Sequence, residues 1–490
     1  MNALKPLLKK MLLLGIPLLL GVIGFTLVGG ERLSDGIFLT LCMYVMNYTD
    51  SPVNLWVELA RWTAPIATAS GVVLAIASVR IYLKNAIAYA RGGSVAVYGP
   101  EKDRKKVLSR LPNGIEGEEE WVRAHRYILL HDEKTNFDFY QANRDKMGDA
   151  RVCIKCDAIS PQLFAADNLH LFSPEEVAAR LFWRRDDLYK LSKQHNHQLK
   201  IVLVGFGQLG EQVLLSALQR NVFCAKQNIE YHIFGDASAF RVMHSQLESV
   251  DDPVIFHEKQ WFEELQLLEQ AHMVIVLEQQ EQMELVDKLV FALNRKSIVV
   301  FGNGAPQLQC IGVEQSWQEK LSDNEKQGTR VRVDVFDWKE EALKPEYFFA
   351  DDLLELAKRI NLRYANLYMN VEETPDNAEK EWRKLNSFLR YSNLYAAEYH
   401  ALRLQMMRAW GYGPQDELTP EHMEILAELE HIRWSRYHYI NNWRHGTPAN
   451  GRAKDQDQRI HTCLIPYEEL PEPEKEKDRE NIRVLLSVQR

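Results

Sequence analysis

The chain is poor in the features that indicate catalysis or nucleic-acid binding. Its 59 Lys and Arg residues are outnumbered by 68 Asp and Glu residues, and the formal net charge of -9 leaves no basic surplus for a phosphate backbone. The GxSxG, HExxH and P-loop signatures are absent, and no His–acid or Tyr–Lys pair of a dehydrogenase follows the glycine-rich stretch near residue 205. We therefore predict no catalytic residues, no enzyme activity and no nucleic-acid partner.

Cysteine is also scarce, with six in 490 residues. Only Cys153 and Cys156 form a CxxC pair, and they lie in the strand-like sequence RVCIKCD, where residues three apart point to opposite faces. No second CxxC or His pair lies nearby in the sequence. We therefore expect no metal site and a reduced, cytosolic environment for this part of the chain.

Long apolar runs, by contrast, occur twice near the N-terminus. Residues 11–29 form an uncharged run of 19 residues, close to the ~20 that cross ~30 Å of hydrocarbon, and residues 64–83 form a second run. Basic residues flank the outer ends of both runs and acidic residues prevail between them, so the positive-inside rule predicts cytoplasmic N- and C-termini. A cleaved signal peptide is the alternative for the first run, but that run is long for one and a second span follows.

Between the two runs, residues 37–46 are apolar but too short to cross a membrane as a helix, which predicts a re-entrant or interfacial segment. Span, short apolar segment and span is the layout of a two-helix ion-channel subunit, in which several subunits surround one pore. Asn47, Thr49 and Asp50 would then lie at the filter, and Gly71 would bend the second span within a stripe of small residues. A two-helix anchor with an interfacial loop is the alternative.

From residue 94 to about 365, apolar runs alternate with amphipathic helical patterns, as is typical of a parallel sheet with helical crossovers. A GxGxxG motif that ends at Gly210 follows one of the predicted strands. Asp236 ends the next strand, 26 residues after Gly210, near the position expected for an acid that binds ribose hydroxyls. Glycines in a strand–turn–helix allow a tight turn and let a pyrophosphate approach the positive end of the helix. We predict a Rossmann fold that binds NAD(H) or another adenine nucleotide, the alternative being that these glycines serve packing alone. The GxGxxG motif consists of Gly205, Phe206, Gly207, Gln208, Leu209 and Gly210.

The preceding stretch repeats this pattern without the glycines. VAVYG (95–99) is followed by Pro100-Glu101-Lys102, and a later helix begins with Ser173 as N-cap, Pro174 at its first position and Glu176 completing a capping box. The order of strands and helices over about residues 94–345 resembles RCK or TrkA-type nucleotide-binding domains, which regulate potassium channels and transporters and often occur in tandem. The resemblance implies that the second copy binds a nucleotide, and we expect the first copy to be structural.

The C-terminal stretch, residues 426–479, carries a series of landmarks in one order, from Leu426-Ala427-Glu428 through Trp434, Trp443 and Gly446 to the run CLIPY (463–467). It resembles the ryanodine receptor repeat, or RyR domain, a small helical module. It departs from the family pattern at Asn442, His445 and Thr462. Six aromatic and basic residues of this stretch are candidate ligand contacts, because aromatic rings can stack on a base and arginines can hold a phosphate. In the alternative interpretation, the aromatic residues form the core of the domain. These candidates are Arg433, Trp434, Tyr437, Trp443, Arg444 and Tyr467.

The predicted fold is therefore a membrane α-helical hairpin of two transmembrane helices plus a re-entrant segment, followed by an α/β Rossmann-like tandem and a small α-helical RyR domain. The predicted domains are residues 1–92 (pore or anchor), 93–195 (degenerate Rossmann-like copy), 196–370 (Rossmann domain), 371–420 (linker and helical segment) and 421–490 (RyR domain).

We predict a nucleotide-responsive ion channel or effector subunit of the bacterial inner membrane. It would be a homo-oligomer, tetrameric by resemblance to two-helix channels, that responds to a nucleotide or nucleotide-derived signal. The family context of the RyR domain implies stress or anti-phage signalling. Two alternatives are a membrane-anchored NAD(P)-dependent oxidoreductase and a regulatory subunit of a separate channel or transporter.

Overall fold

The computed structural model describes residues 15–118, 120–156, 168–185, 187–293, 297–302, 304–308, 310, 332–349, 351–413, 416–449 and 451–487. The chain divides into two units, Met1–Ser94 and Val95–Arg490.

The first unit is helical. A helix described from residue 15 continues as the π-helix Ile23–Val28 and is followed by α1 (Leu33–Tyr44) and α2 (Leu55–Ala90). Asn54 joins these elements, because its Oδ1 caps α2 by accepting from Val57 N at 3.1 Å and its Nδ2 donates to Gly24 O at 2.7 Å. A small core lies where the helices meet, and it contains Phe25, Met43, Val57, Ala60 and Ala64.

The predicted transmembrane hairpin is wrong. Among the residues described, none of the helices combines the length and the apolar character that crossing a bilayer requires. The predictions of an ion channel and of an inner-membrane location depended on this hairpin and are wrong with it. Residues 1–14, which include the start of the first predicted span, lie outside the described part.

The residues predicted to line a pore lie in two places. Asn47, Thr49 and Asp50 are exposed in the segment that follows α1, where Asn47 N donates to Cys42 O at 2.8 Å. Gly71 lies within α2. Their predicted role in a pore depended on the transmembrane hairpin.

The second unit begins with a five-stranded, wholly parallel sheet. Its strands are β1 (Val95–Tyr98), β2 (Gly114–Glu116), β3 (Arg126–Leu129), β4 (Arg151–Lys155) and β5 (Leu169–Phe172). The helices of this domain are α3 (Glu101–Leu108), α4 (Glu133–Met147), α5 (Pro174–Trp183) and α6 (Asp187–Gln194). The order β2-β1-β3-β4-β5 is one of the two common orders of doubly wound α/β sheets. Ser173 caps α5 as predicted, since its Oγ accepts from Glu176 N at 3.3 Å.

A second parallel sheet follows, with six strands. They are β6 (Gln198–Val204), β7 (Asn228–Phe234), β8 (Val254–His257), β9 (Met273–Val276), β10 (Ser297–Phe301) and β11 (Arg332–Phe336). Its helices are α7 (Gln208–Arg220), α8 (Ser238–Met243), α9 (Leu265–Gln270), α10 (Gln282–Ala292), α11 (Trp338–Ala342) and α12 (Pro345–Phe349). From β8 the order is β8-β7-β6-β9-β10-β11, the 3-2-1-4-5-6 order of dinucleotide-binding sheets, so the predicted Rossmann-like fold is confirmed.

The remainder of the chain is mainly helical. Within the predicted linker, residues 375–384 form a helix because Thr374 caps it, accepting from Asn377 N at 3.2 Å, and Pro375 occupies its first turn. The helices are α13 (Asp351–Met369), α14 (Pro375–Lys384), α15 (Ser387–Ala409), α16 (Pro420–Ile440) and α17 (Glu472–Ser487). A small sheet contains β12 (Arg444–His445), β13 (Lys454–Asp455) and β14 (Ile460–His461). Short 3-10 helices are Leu247–Ser249, Trp261–Glu263 and Tyr467–Glu469.

One hydrophobic core connects the two sheets and the C-terminal helices, and it includes Val97, Leu203, Tyr399 and Leu429. Helix α5, which follows the first sheet, packs on α7 of the second, where the buried Trp183 donates from Nε1 to Val213 O at 2.9 Å. This packing holds the carboxyl ends of some strands of the two sheets on either side of one space.

Candidate functional site

A cavity of about 490 Å³ lies between the carboxyl ends of strands from both sheets. The second sheet contributes the loop after β6, Gly205–Leu209, the loop after β9, Leu277–Gln280, and side chains near the start of α11. The first sheet contributes residues that end or follow β1, β3, β4 and β5. Ligands of open α/β sheets bind outside the carboxyl ends of the strands, where the strand order reverses. In the second sheet this point lies between β6 and β9, so the cavity is where a ligand is expected. The residues from the first sheet are Asp103, Leu130, Lys155, Pro174 and Glu175.

The three glycines after β6 have different roles. Gly205 has a φ of +94°, and a Cβ there would lie 2.5 Å from Glu278 N, so only glycine allows the two loops to approach this closely. A Cβ at Gly210 would lie 3.1 Å from Gly205 O, which makes that position one of close helix–loop packing. A Cβ at Gly207 would meet nothing within 4 Å. Gly207 therefore leaves open space at the cavity wall, as the close approach of a phosphate requires.

Helix α7 begins at this open space. Its N-cap is Gly207, which has no side chain to accept from the first-turn N–H groups. The N–H groups of a helix's first turn and its dipole attract anions, so this end of the cavity suits a phosphate group. Phe206, by contrast, turns its ring into the core, where it meets Phe240 edge-to-face with ring centroids 5.2 Å apart. Leu209 and Gly210 are also buried.

Asp236 lies beside the glycine loop and is not among the residues that line the cavity. A Cβ at Gly235 would lie 2.6 Å from Phe206 N, so the end of β7 is packed against this loop. The Asp236 carboxylate accepts from Ser238 Oγ at 2.5 Å and from Ser238 N at 3.0 Å, and these hydrogen bonds lower its pKa. An exposed, ionised carboxylate at the end of the neighbouring strand can accept from ribose hydroxyls.

Two glutamines brace the loop after β9. Gln282 donates from Nε2 to Glu278 O at 2.6 Å and to Phe301 O at 2.9 Å. Gln279 donates to the same Phe301 carbonyl at 3.1 Å, and its Oε1 accepts from Trp338 Nε1 at 3.3 Å. The end of β9 is thus tied to the end of β10 and to α11, which gives this wall of the cavity a defined shape.

The charged residues of the lining are three acids, Asp103, Glu175 and Glu278, and two lysines, Lys155 and Lys339. Ser173 Oγ donates to Glu175 Oε2 at 3.0 Å, which orients that carboxylate. The described lining contains no His, Cys, Ser, Thr or Tyr. Across the described ranges, no group of three or more His, Cys, Asp or Glu residues is arranged to hold a metal ion. The cavity therefore offers carboxylate acceptors and ammonium donors for binding hydroxyl and phosphate groups.

The sequence analysis did not identify the acids, the lysines and Trp338 of the cavity lining as site residues. Their shared signal is that each lies at, or just after, the carboxyl end of a parallel strand. That signal does not tell which strand ends of two different sheets meet.

The six C-terminal candidates lie mostly in the interior. Arg433 is buried in a bidentate ion pair, with Nε and Nη2 at 2.9 and 2.7 Å from the two carboxylate oxygens of Glu430. Tyr467 is buried and donates to Glu424 Oε1 at 2.8 Å, whereas Arg444 is exposed on β12.

The other three candidates, Trp434, Tyr437 and Trp443, are brought together around His438, with ring centroids 4.0, 5.9 and 5.2 Å from the imidazole. Burial lowers the pKa of His438 to about 3, so this histidine is a neutral member of an aromatic cluster. Trp443 also stacks on Phe388, with centroids 5.3 Å apart.

Residues 416–488 match the family model of the RyR domain. This match confirms the resemblance predicted for the C-terminal part. The RyR domain thus contains α16, β12 to β14 and α17.

Other comparisons add little. The sequence matches no curated protein significantly. Among solved structures, a D-lactate dehydrogenase from Treponema pallidum aligns with 8% identity and a TM-score of 0.21, covering 66% of this chain and 99% of that one. A likeness at this level carries no argument about function.

The RyR domain contacts the second sheet's domain through several polar contacts. Arg436 of α16 pairs with Asp252 at 2.8 Å, and both side chains are buried. Asn442 donates from Nδ2 to Met243 O at 2.7 Å, and His244 Nδ1 lies 2.7 Å from Ile440 O. The RyR domain is therefore packed on the domain that carries the glycine loop.

Proposed function

We propose that this protein binds a pyrophosphate-containing adenine nucleotide, such as NAD(H), in the cavity between its two parallel sheets. The observation that carries the proposal is Gly207, which leaves open space at the uncapped start of α7 and faces the cavity. The pyrophosphate would lie at this helix end, held by the backbone of Gly205 to Gly210. The adenosine ribose would lie toward Asp236, and the other half of the ligand would extend along Leu277–Gln280.

The role we propose is regulatory binding rather than catalysis. The described lining holds no His or Tyr, and the proposal assigns its carboxylates and lysines to ligand binding. The RyR domain is packed on the domain that binds the nucleotide, so an effect of binding on that domain would reach it directly. The proposal retains the nucleotide-responsive role implied by the RCK or TrkA-type resemblance, without a channel.

Calorimetric titration of the full chain with NAD⁺, NADH, NADP⁺ and ATP tests this function. We expect saturable binding of at least one of the four, and a loss of roughly tenfold or more in Gly207→Ala, because the added methyl group fills the space that a phosphate needs. Gln212→Ala, one turn further along α7, is the matched control and should bind as the unmodified protein does. Failure of all four nucleotides to bind would overturn the proposal. Steady turnover of a nicotinamide cofactor would overturn the regulatory role.

A further inference from the structure

The first doubly wound domain, which lacks a GxGxxG motif, also faces the nucleotide cavity. The four carboxyl ends of β1, β3, β4 and β5 all contribute to its lining, through Asp103, Leu130, Lys155, Pro174 and Glu175. A domain with a purely structural role would not need its ligand-binding edge turned toward the neighbouring site. This arrangement differs from the expectation, based on the missing glycines, that the first copy is only structural.

The helix ends on the two sides of the cavity have opposite character. Helix α3 has Glu101 and Asp103 in its first turn, and α5 has Glu175 and Glu176. These acids occupy the positive ends of their helices, and Ser173 also satisfies a first-turn N–H of α5. Helix α7 instead presents backbone at Gly207, and its own first-turn acid, Glu211, is not part of the described lining.

The two sides of the cavity thus differ in electrostatic character. The α7 side attracts phosphate, whereas the opposite side presents carboxylates that repel phosphate and accept hydrogen bonds from hydroxyl and amide groups. Lys155 and Lys339 offset two of the three acids, so the charged lining is acidic by one formal charge.

We infer that the first doubly wound domain forms the second half of the nucleotide site and selects a ligand whose distal half is rich in hydrogen-bond donors and carries no phosphate. This inference rests on the proposed function. It favours a dinucleotide, in which a ribose and an amide-bearing ring lie beyond the pyrophosphate. It disfavours a nucleoside triphosphate, whose terminal phosphate would meet Asp103 and Glu175.

The test compares NAD⁺ and ATP affinities of the full chain by calorimetry. We expect the unmodified protein to bind NAD⁺ roughly tenfold or more tightly than ATP, because like charges face each other when the triphosphate binds. In the variant that combines Asp103→Asn with Glu175→Gln, NAD⁺ affinity should fall while ATP affinity rises, reducing the ratio about fivefold or more. A general loss of folding would lower both affinities and would not raise the affinity for ATP.

Glu133→Gln is the matched control, because Glu133 is a first-turn acid of α4 in the same domain and is not part of the described lining. It should leave both affinities unchanged. Binding that is lost in Gly207→Ala but unchanged in the double variant would overturn this inference and leave the proposed function standing. Equal or tighter binding of ATP by the unmodified protein would also overturn it. No binding of either nucleotide would overturn both.

Discussion

Arg436 of α16 donates from Nη1 to the backbone carbonyl of Leu218, 3.2 Å away, near the C-terminal end of α7. The same guanidinium pairs with the buried carboxylate of Asp252. Because α7 begins at the glycine loop, one helix faces the cavity at its first turn and is held by the RyR domain at its last. The RyR domain is thus joined directly to the element that would bind the pyrophosphate.

Arg436→Met should lower the free energy of unfolding by roughly 3–5 kcal/mol, because Asp252 would remain buried without its cation. Asp252 also accepts from Gln227 Nε2 at 2.6 Å and from Ile229 N at 2.8 Å, so it is held in place when the arginine is removed. Denaturant unfolding measures the loss. Arg444→Met, the same change at an exposed position of the RyR domain, should stay within about 0.5 kcal/mol. Equal losses in the two variants would contradict this prediction.

Glu430→Gln should be at least as destabilising, by about 3–5 kcal/mol. The Glu430 carboxylate is the partner of both Arg433 and Arg403, and all three side chains are 1% exposed. Burial alone would raise the pKa of Glu430, but the two guanidinium groups outweigh it and lower that pKa. The amide would leave two buried guanidinium groups without their ion-pair partner.

Glu428→Gln makes the same change two residues earlier on α16. Burial raises the pKa of Glu428, with further contributions from neighbouring acids, so loss of its charge should leave stability unchanged or slightly higher. Thermal and denaturant unfolding of the two variants separate the roles. A tolerated Glu430→Gln would contradict the view that this ion-pair cluster holds α15 and α16 together.

Local sequence signals suffice for the turn between β6 and α7 and for the RyR domain, because each pattern lies within one short segment. The second wall of the cavity depends on long-range packing. Lys155 and Glu175 lie 50 and 30 residues before Gly205, and the packing of α5 on α7 places strand ends of both sheets around the cavity. No periodicity within either segment encodes that arrangement.

The ligand candidates of the RyR domain show the same limit. Aromatic and basic residues on a helix can face solvent or the core, and spacing alone does not distinguish these cases. Helix α16 packs against α7, α15 and α17, so Arg433, Arg436 and Tyr437 are all buried.

His400 on α15 should make the protein sensitive to acid. It is buried, and neither ring nitrogen has a hydrogen-bond partner within the described structure. Burial and the nearby Arg403 lower its pKa from 6.5 to about 3. The unfolded chain therefore binds a proton that the folded protein does not between these two pH values. Above pH 6.5 this difference does not affect the free energy of unfolding. As the pH falls from 6.5 toward 3, it lowers the free energy of unfolding by about 1.4 kcal/mol per pH unit.

His400→Met should therefore reduce the slope of unfolding free energy against pH below pH 6.5 by the amount that corresponds to about one proton. Stability at pH 7.5 should be equal or higher. Denaturant unfolding at a series of pH values measures this slope. Leu404→Met, on the same helix and without a titrating group, should retain the full slope. An unchanged slope in His400→Met would show that this histidine titrates normally in the folded protein.

Gly205→Ala and Gly207→Ala should separate folding from binding within one loop. At Gly205 a methyl group would lie 2.5 Å from Glu278 N on a backbone with φ of +94°, so we expect a loss of at least about 1–3 kcal/mol in unfolding free energy. At Gly207 the φ is -107° and a methyl group meets nothing within 4 Å, so stability should fall only by the cost of replacing an N-cap glycine with alanine, less than about 1 kcal/mol, while nucleotide binding is lost. Thermal unfolding without ligand, followed by calorimetric titration, measures the two effects. If Gly207→Ala were as destabilising as Gly205→Ala, both glycines would serve packing alone and the open space at the start of α7 would have no role in binding.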